Sequence, residues 1–392
     1  MIVYHAAWVV PVEGPPLRDA CVAVADGRVA WVGPAAGAPS GERRELGPGV
    51  LLPGLVNAHS HLELSHLAGR LLPASGFVDW VERLVAARAD DPLALVRTRA
   101  AAGISELERT GTAAVGDVSN ALAHLDLLDR SSLRARVFFE QIGWDPAAAT
   151  AVMEAARARL AALPALRRVK VSLAAHAPHS VSPALMTALA EAGRLGALHL
   201  AESPHERRFL ETGDAEWSAF LARRGLGRVA FTPPGLSPVR HVDRLGALRP
   251  GLLAAHAVQV DAADRALLAA RGVVVVLCPR SNDALGVGRA PVVELREAGV
   301  RLCIGTDSLA SVPTLDLWDD VLALHRAFPS LEPEWLVRAA TRAGAEALGF
   351  DDLGRIAPGA RAGFAFFEGP PSLREPFAFL FSGEAHPKGV GA

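Results

Sequence analysis

Between Leu51 and Gly349, apolar runs of strand length alternate with Ala/Leu/Arg-rich stretches of helical period. The runs are Leu51–Ala58, Thr112–Asp117, Arg136–Glu140, Val169–Ala175, Ala197–Ala201, Leu252–Ala255, Val273–Leu277 and Arg301–Gly305. Between them, Phe77–Arg88, Pro92–Arg109, Pro146–Leu163, Pro183–Gly193, Asp261–Arg271 and Pro291–Gly299 predict helices. Strands that are apolar nearly throughout, rather than at every second position, predict a parallel sheet covered on both faces. Eight of them alternating with helices predict an α/β chain folded as a closed (β/α)8 TIM barrel, with a doubly wound open sheet as the alternative.

The two chain ends have a different texture. Ile2–Tyr4, Cys21–Val24 and Val29–Val32 near the start, and Phe364–Phe367 near the end, are short β-prone runs. Pro15-Pro16, Asp26-Gly27, Gly33-Pro34 and Pro358-Gly359 punctuate them. Neither end has enough apolar surface to bury a core alone. Residues 1–50 and 354–392 are therefore expected to pair as one small β-sandwich domain, and residues 51–353 to form the barrel.

Composition narrows the function. Forty Lys and Arg against forty-two Asp and Glu leave a net charge of -2, without the basic excess of a nucleic-acid or membrane-surface binder. Cys21, Cys278 and Cys303 lie far apart, which excludes a disulfide scaffold and a four-cysteine zinc site. No run reaches the ~18 apolar residues of a membrane helix, and the first residues lack the basic start of a signal peptide. The expectation is a cytoplasmic protein with a small-molecule partner, and a homodimer as the default assembly.

A TIM barrel gathers its active residues where strands end and loops begin, and imidazoles and carboxylates collect there in this chain. His59 and His61 follow the first run, and side chains two apart on a strand point the same way. His176 follows the fourth run, His199 lies in the fifth with Glu202 at its end, His256 ends the sixth, and Asp307 follows the eighth. His59, His61, His199 and Asp307 together offer three nitrogens and one oxygen with a position left for water, the requirement of a catalytic metal site. Taken singly, each has a plainer job: a hydrogen-bonded core ring for His199, a helix N-cap for Asp307. Glu202 is placed to reach a water on the metal, and His256 is either a further ligand or a proton carrier.

The run Pro53-Gly54-Leu55-Val56-Asn57-Ala58-His59-Ser60-His61, the block His199-Leu200-Ala201-Glu202, His256 and Gly305-Thr306-Asp307-Ser308 together resemble the amidohydrolase superfamily. Cys278-Pro279-Arg280-Ser281-Asn282 is similar to the stretch after the seventh strand in its mononuclear deaminase/chlorohydrolase branch. The resemblance spans essentially the whole chain. Gly363-Phe364, where the family often has Ala-Asp, departs from it far from the chemistry. It implies that His59, His61, His199 and Asp307 bind the metal while Glu202, His256 and Asp307 handle protons and water. The implied reaction is hydrolytic deamination, in which activated water attacks a ring carbon flanked by nitrogens and ammonia leaves. Binuclear relatives bridge two metals with a carbamylated lysine at the end of the fourth strand. Here Lys170 stands six residues before His176, at the wrong end of its strand, so one divalent ion is expected: zinc first, iron or manganese as alternatives. The chain has no CxxC, which excludes the other zinc-deaminase fold.

Substrate signals come from loops. Leu62-Glu63-Leu64-Ser65 extends the metal pair into a stretch similar to that of 6-amino-6-deoxyfutalosine deaminases, enzymes of the futalosine route to menaquinone. That likeness implies an aminopurine nucleoside substrate, with Glu63 on ribose hydroxyls; the plainer reading of Glu63 is a helix-start acid. His176 is expected to touch substrate, ahead of His179, and Arg280 either to grip a substrate carboxylate with its planar fork or to be structural. Trp80 and Trp144 are expected to pack rather than stack on a base, and His205 and Glu206 to lie at the surface of a helix start. The long connection from Ser203 to Pro250 is expected to cover the pocket or to meet a second subunit. Alternatives on the same site are S-adenosylhomocysteine, adenosine or guanine deamination and triazine aminohydrolase or chlorohydrolase chemistry. A non-catalytic barrel scaffold is the reading from another class, and the filled ligand and proton-carrier positions argue against it.

Overall fold

The computed structural model describes residues 1–89, 91–193, 196–227 and 229–391. Four strands open the chain: β1 (Ile2–Val9), β2 (Leu17–Ala25), β3 (Arg28–Pro34) and β4 (Glu42–Pro53). Eight follow, each trailed by at least one helix: β5 (Leu55–Ser60), β6 (Thr112–Ser119), β7 (Arg134–Gln141), β8 (Val169–Ala175), β9 (Ala197–Leu200), β10 (Leu253–His256), β11 (Val274–Leu277) and β12 (Arg301–Ile304). β13 (Phe364–Glu368) and β14 (Pro387–Val390) close it.

The expected run Leu51–Ala58 is two strands. Val9 pairs with Leu51 and Phe366 with Leu51 in one sheet, whereas Leu55 pairs with Thr112 in another. The chain changes sheet at Gly54, whose N–H donates to Gly363 O at 2.8 Å. A side chain there would put its Cβ 2.5 Å from that of Ala113, so only glycine lets the sheets approach. The boundary expected between residues 50 and 51 therefore falls inside β4.

Both chain ends enter one six-stranded mixed sheet, ordered β14-β13-β4-β1-β2-β3, with β1 parallel to β4 and the other neighbours antiparallel. The expected sandwich thus takes the form of a single sheet. Tyr4, Val22, Leu51, Phe364 and Phe366 form the core on one of its faces.

The eight middle strands make two four-stranded parallel sheets, β5-β6-β7-β8 and β12-β11-β10-β9. All eight send side chains into one shared apolar cluster, including Val56, Ala114, Phe138, Ala174, Ala197, Leu253, Val276 and Cys303, which Leu348 and Phe350 join. The other strand faces pack on helices such as Ala149–Ala161 and Pro183–Glu191. This double burial is why the strands read as continuous apolar runs. The sheets meet at two seams. His199 N donates to His176 O at 2.8 Å, and Thr306 N and Asp307 N donate to His59 O at 3.1 and 3.0 Å. Gly305 makes the second seam possible, because a Cβ there would lie 2.7 Å from the Cβ of His59. Among the described residues, no helix is long and apolar enough to cross a membrane.

Candidate active site

The seams bring the predicted residues together. His59 lies in β5 and His61 just past it, His199 in β9, His256 at the end of β10, and Asp307 three residues past β12. His61 Nε2 stands 3.2 Å from His59 Nε2 and 3.1 Å from His199 Nε2. Asp307 Oδ1 lies 3.7 Å from His59 Nε2 and 3.5 Å from His61 Nε2. His59, His61 and Asp307 form one group able to hold a metal ion, and His59, His199 and His256 form another that shares His59.

The His199 and His256 rings are oriented by their second nitrogens. His199 Nδ1 faces His176 O at 3.1 Å, which turns Nε2 toward the cluster. His256 Nδ1 donates to Asn282 Oδ1 at 2.9 Å; its buried Nε2 has no hydrogen-bond partner and sits 3.6 Å from Glu202 Oε1. Asp307 Oδ2 accepts from Ser281 Oγ at 2.5 Å and Ser311 Oγ at 3.0 Å, leaving Oδ1 for the imidazoles. Backbone strain gathers at the same strand ends. Ala201, His256, Ala257 and Asp307 have φ of 53°, 75°, 46° and 64°, a region that costs a non-glycine residue about 1–3 kcal/mol.

Burial sets the charges. It lowers the His61 pKa to about 3, helped by the neighbouring His59, and it lowers His199 well below the usual range and His256 below it. Burial thus favours the neutral form of these rings, the form a metal requires of imidazole. Asp307 goes the other way: burial disfavours its charge, but the His59, His61 and His256 rings outweigh that and hold it well below the carboxylate range. Glu202 is raised to about 8, first by burial and then by the charge of Asp307, so at neutral pH it carries its proton.

A cavity of about 510 Å³ opens above the cluster, with His61, His176, His199, Glu202, His256 and Asp307 on its walls. The remaining wall is mainly apolar. Helix Phe77–Ala89 contributes Phe77, Trp80 and Leu84; helix Ala215–Arg223 contributes Trp217, Phe220 and Leu221. Arg223 Nε donates to Glu82 Oε1 at 2.8 Å and joins the two helices. The Ser203–Pro250 connection therefore supplies part of the pocket cover. Trp80 and Trp144 both line the cavity and both pack: Trp80 Nε1 donates to Ala310 O, and Trp144 lies against Phe209 and Phe231.

His176 lines the cavity, with Nδ1 held 2.6 Å from Ser180 Oγ, and His179 lines it too. Two expected substrate contacts are corrected. The Glu63 carboxylate is taken up by the N–H groups of Asn120 (2.8 Å), Ala121 (3.0 Å) and Ala123 (3.4 Å), so it anchors the loop after β6 and is not on the cavity wall. Arg280 is likewise off the wall: its guanidinium pairs with Asp320 at 2.7 Å and Asp319 at 3.1 Å and bonds Thr314.

Sequence reasoning missed three groups. Asn120 and Glu140 line the cavity, and Asn120 Nδ2 donates to Glu140 Oε2 at 2.9 Å while Glu140 Oε1 lies 3.5 Å from His199 Nδ1. The strand-end position of Glu140 was the available signal. Glu206, expected at the surface, is 1% exposed. Lys170 is exposed at the start of β8 with its ammonium over the Phe350 ring, away from the cavity.

The Amidohydrolase family profile matches residues 50–388. An aminodeoxyfutalosine deaminase of Deinococcus radiodurans is 35% identical over 344 residues, covering 80% of this chain and 79% of that protein. A 5-methylthioadenosine/S-adenosylhomocysteine deaminase of Nitratidesulfovibrio vulgaris is 30% identical over 367 residues, covering 88% and 78%. The crystal structure of a Xanthomonas campestris adenosine deaminase with bound zinc superposes with a TM-score of 0.78 at 26% identity, covering 98% of this chain and 89% of that one. The chain belongs to the amidohydrolase family, as a hydrolytic deaminase acting on carbon–nitrogen bonds.

Proposed function

We propose that this deaminase acts on an aminopurine nucleoside, 6-amino-6-deoxyfutalosine, in menaquinone biosynthesis. The observation that carries the chemistry is the convergence of His59, His61, His199 and Asp307 at the cavity floor, with Glu202 and His256 side by side next to them. His59, His61, His199 and Asp307 would hold one divalent cation. The donor set fits zinc, and the zinc in the Xanthomonas relative supports that choice. Such a cation, when bound, lowers the pKa of water toward ~7.

The rest is done by the chain's own residues. His256 offers its unpartnered Nε2 as the acceptor for a proton leaving water, because its Nδ1 is committed to Asn282. Glu202 gives its proton to the ring nitrogen beside the attacked carbon as charge builds there, and a second transfer through Glu202 or His256 lets ammonia leave. Proton transfers of this kind contribute ~10²–10⁴-fold. His176, held by Ser180, presents its other nitrogen to the substrate, and the aromatic cover keeps bulk water from the base.

The substrate reading is supported by the Deinococcus relative together with the His59–Ser65 stretch. The Nitratidesulfovibrio relative favours a second one, S-adenosylhomocysteine or a related adenine nucleoside. Ammonia release across a panel of 6-aminopurine nucleosides, guanine and aminotriazines tests both. The fastest turnover is expected on the aminodeoxyfutalosine; activity confined to triazines, or none on any nucleoside, would overturn the assignment.

We infer further that the two parallel sheets are halves of one closed (β/α)8 barrel. Their hydrogen-bonded seams and shared interior cluster support this. The chain-end strands would form the small domain beside it.

A further inference from the structure

Glu202 leaves the backbone at a turn that another carboxylate holds from behind. Glu206 Oε1 accepts the N–H of Ala201 at 3.0 Å, and Oε2 accepts the N–H of Glu202 at 2.7 Å. Two successive N–H groups converging on one carboxyl group form a concave backbone site. The φ of 53° at Ala201 is part of that turn, a conformation a non-glycine residue keeps only when its surroundings enforce it. From the other side, Ala201 O accepts the N–H groups of Val258 (2.9 Å) and Gln259 (2.8 Å), which follow His256 in the chain. Glu206 itself is fixed in the first turn of helix Pro204–Glu211, where Ser203 Oγ accepts its N–H at 3.2 Å. It is not on the cavity wall, so it reaches the reaction only through the Glu202 backbone.

We propose that Glu206 is a positioning residue for Glu202: its buried carboxylate fixes the main chain from which the proton-carrying side chain departs, and thereby the placement of that carboxyl beside His256. The inference rests on the reading of Glu202 as the proton carrier.

The test is a double-mutant cycle with a separate structural readout. Glu206→Ala is expected to lower kcat about 10–100-fold, as for other groups that orient an active residue, with KM and metal content unchanged. In a Glu202→Gln background the same substitution should cost nothing further, because the group it positions is already disabled. Glu206→Gln, which keeps one acceptor oxygen, should recover part of the loss, and it carries the test if the alanine variant does not fold. Amide hydrogen exchange should accelerate at Ala201 and Glu202 in either variant. Equal losses of kcat in both backgrounds, or unchanged exchange at those two amides, would overturn the proposal. A wild-type protein that deaminates no nucleoside would instead sink the substrate reading, while the exchange measurement still decides on the Glu206 contact.

Discussion

His61 at the strand-end cavity and His5 in the chain-end sheet are the same side chain with opposite fates. His61 is largely enclosed among other imidazoles with the Asp307 carboxylate near, and its pKa falls to about 3. His5, on β1, is also lowered by burial, but Glu45 at 2.5 Å and Asp19 at 2.7 Å outweigh that and raise it. The contrast extends to whole regions. Around the cavity, buried polar groups are oriented one by one. In the six-stranded sheet, the interior is Tyr4, Phe364, Phe366 and aliphatic side chains. One region spends stability to hold neutral nitrogens and a protonated acid; the other supplies it.

The largest effect that tests this division is at Glu202. Glu202→Gln should lower kcat ~10²–10⁴-fold while metal content and melting temperature stay near wild type; near-normal turnover would remove Glu202 from the chemistry. Next comes Phe366, fully buried and paired with Leu51. Phe366→Ala should cost about 3–5 kcal/mol of stability in a denaturant titration, with kcat of the folded fraction unchanged. A selective loss of kcat would show that the two regions are not separate.

Glu63→Gln separates a loop anchor from a substrate contact. Weakening its grip on the loop after β6 should cost about 1–3 kcal/mol of stability and leave KM for the nucleoside unaltered; a several-fold rise in KM at unchanged stability would return Glu63 to the substrate. The smallest effect is at His5. Its folded pKa is raised, so its ion pairs stabilise the fold fully below the ordinary histidine pKa, and that contribution disappears as pH rises through the folded value. His5→Asn should lower stability by less than about 1 kcal/mol at pH 5.5 and by nothing at pH 9. A deficit that grows with pH would have the wrong sign.

Much of this was legible in the chain because the strands are buried on both faces and the site lies at their ends. Continuous apolar runs marked the eight parallel strands, and His59, His61, His199, His256 and Asp307 sat where such strands terminate. The break at Gly54 was hidden because Leu51–Ala58 is apolar on both sides of it, and only the close approach to Ala113 and Gly363 forces the chain into a second sheet. Glu63 and Arg280 were misplaced for a shared reason: their partners, the loop N–H groups after β6 and the Asp320 carboxylate, lie 57 and 40 residues away, and no local pattern announces where such a partner will stand.

Metal analysis of the purified protein tests the central claim most directly. About one equivalent of a divalent cation per chain is predicted for wild type and for Glu202→Gln, and essentially none for His61→Ala or His199→Ala, each still folded by circular dichroism. A wild-type protein that binds no metal, that binds two equivalents, or that keeps its metal after either histidine is removed would contradict the account.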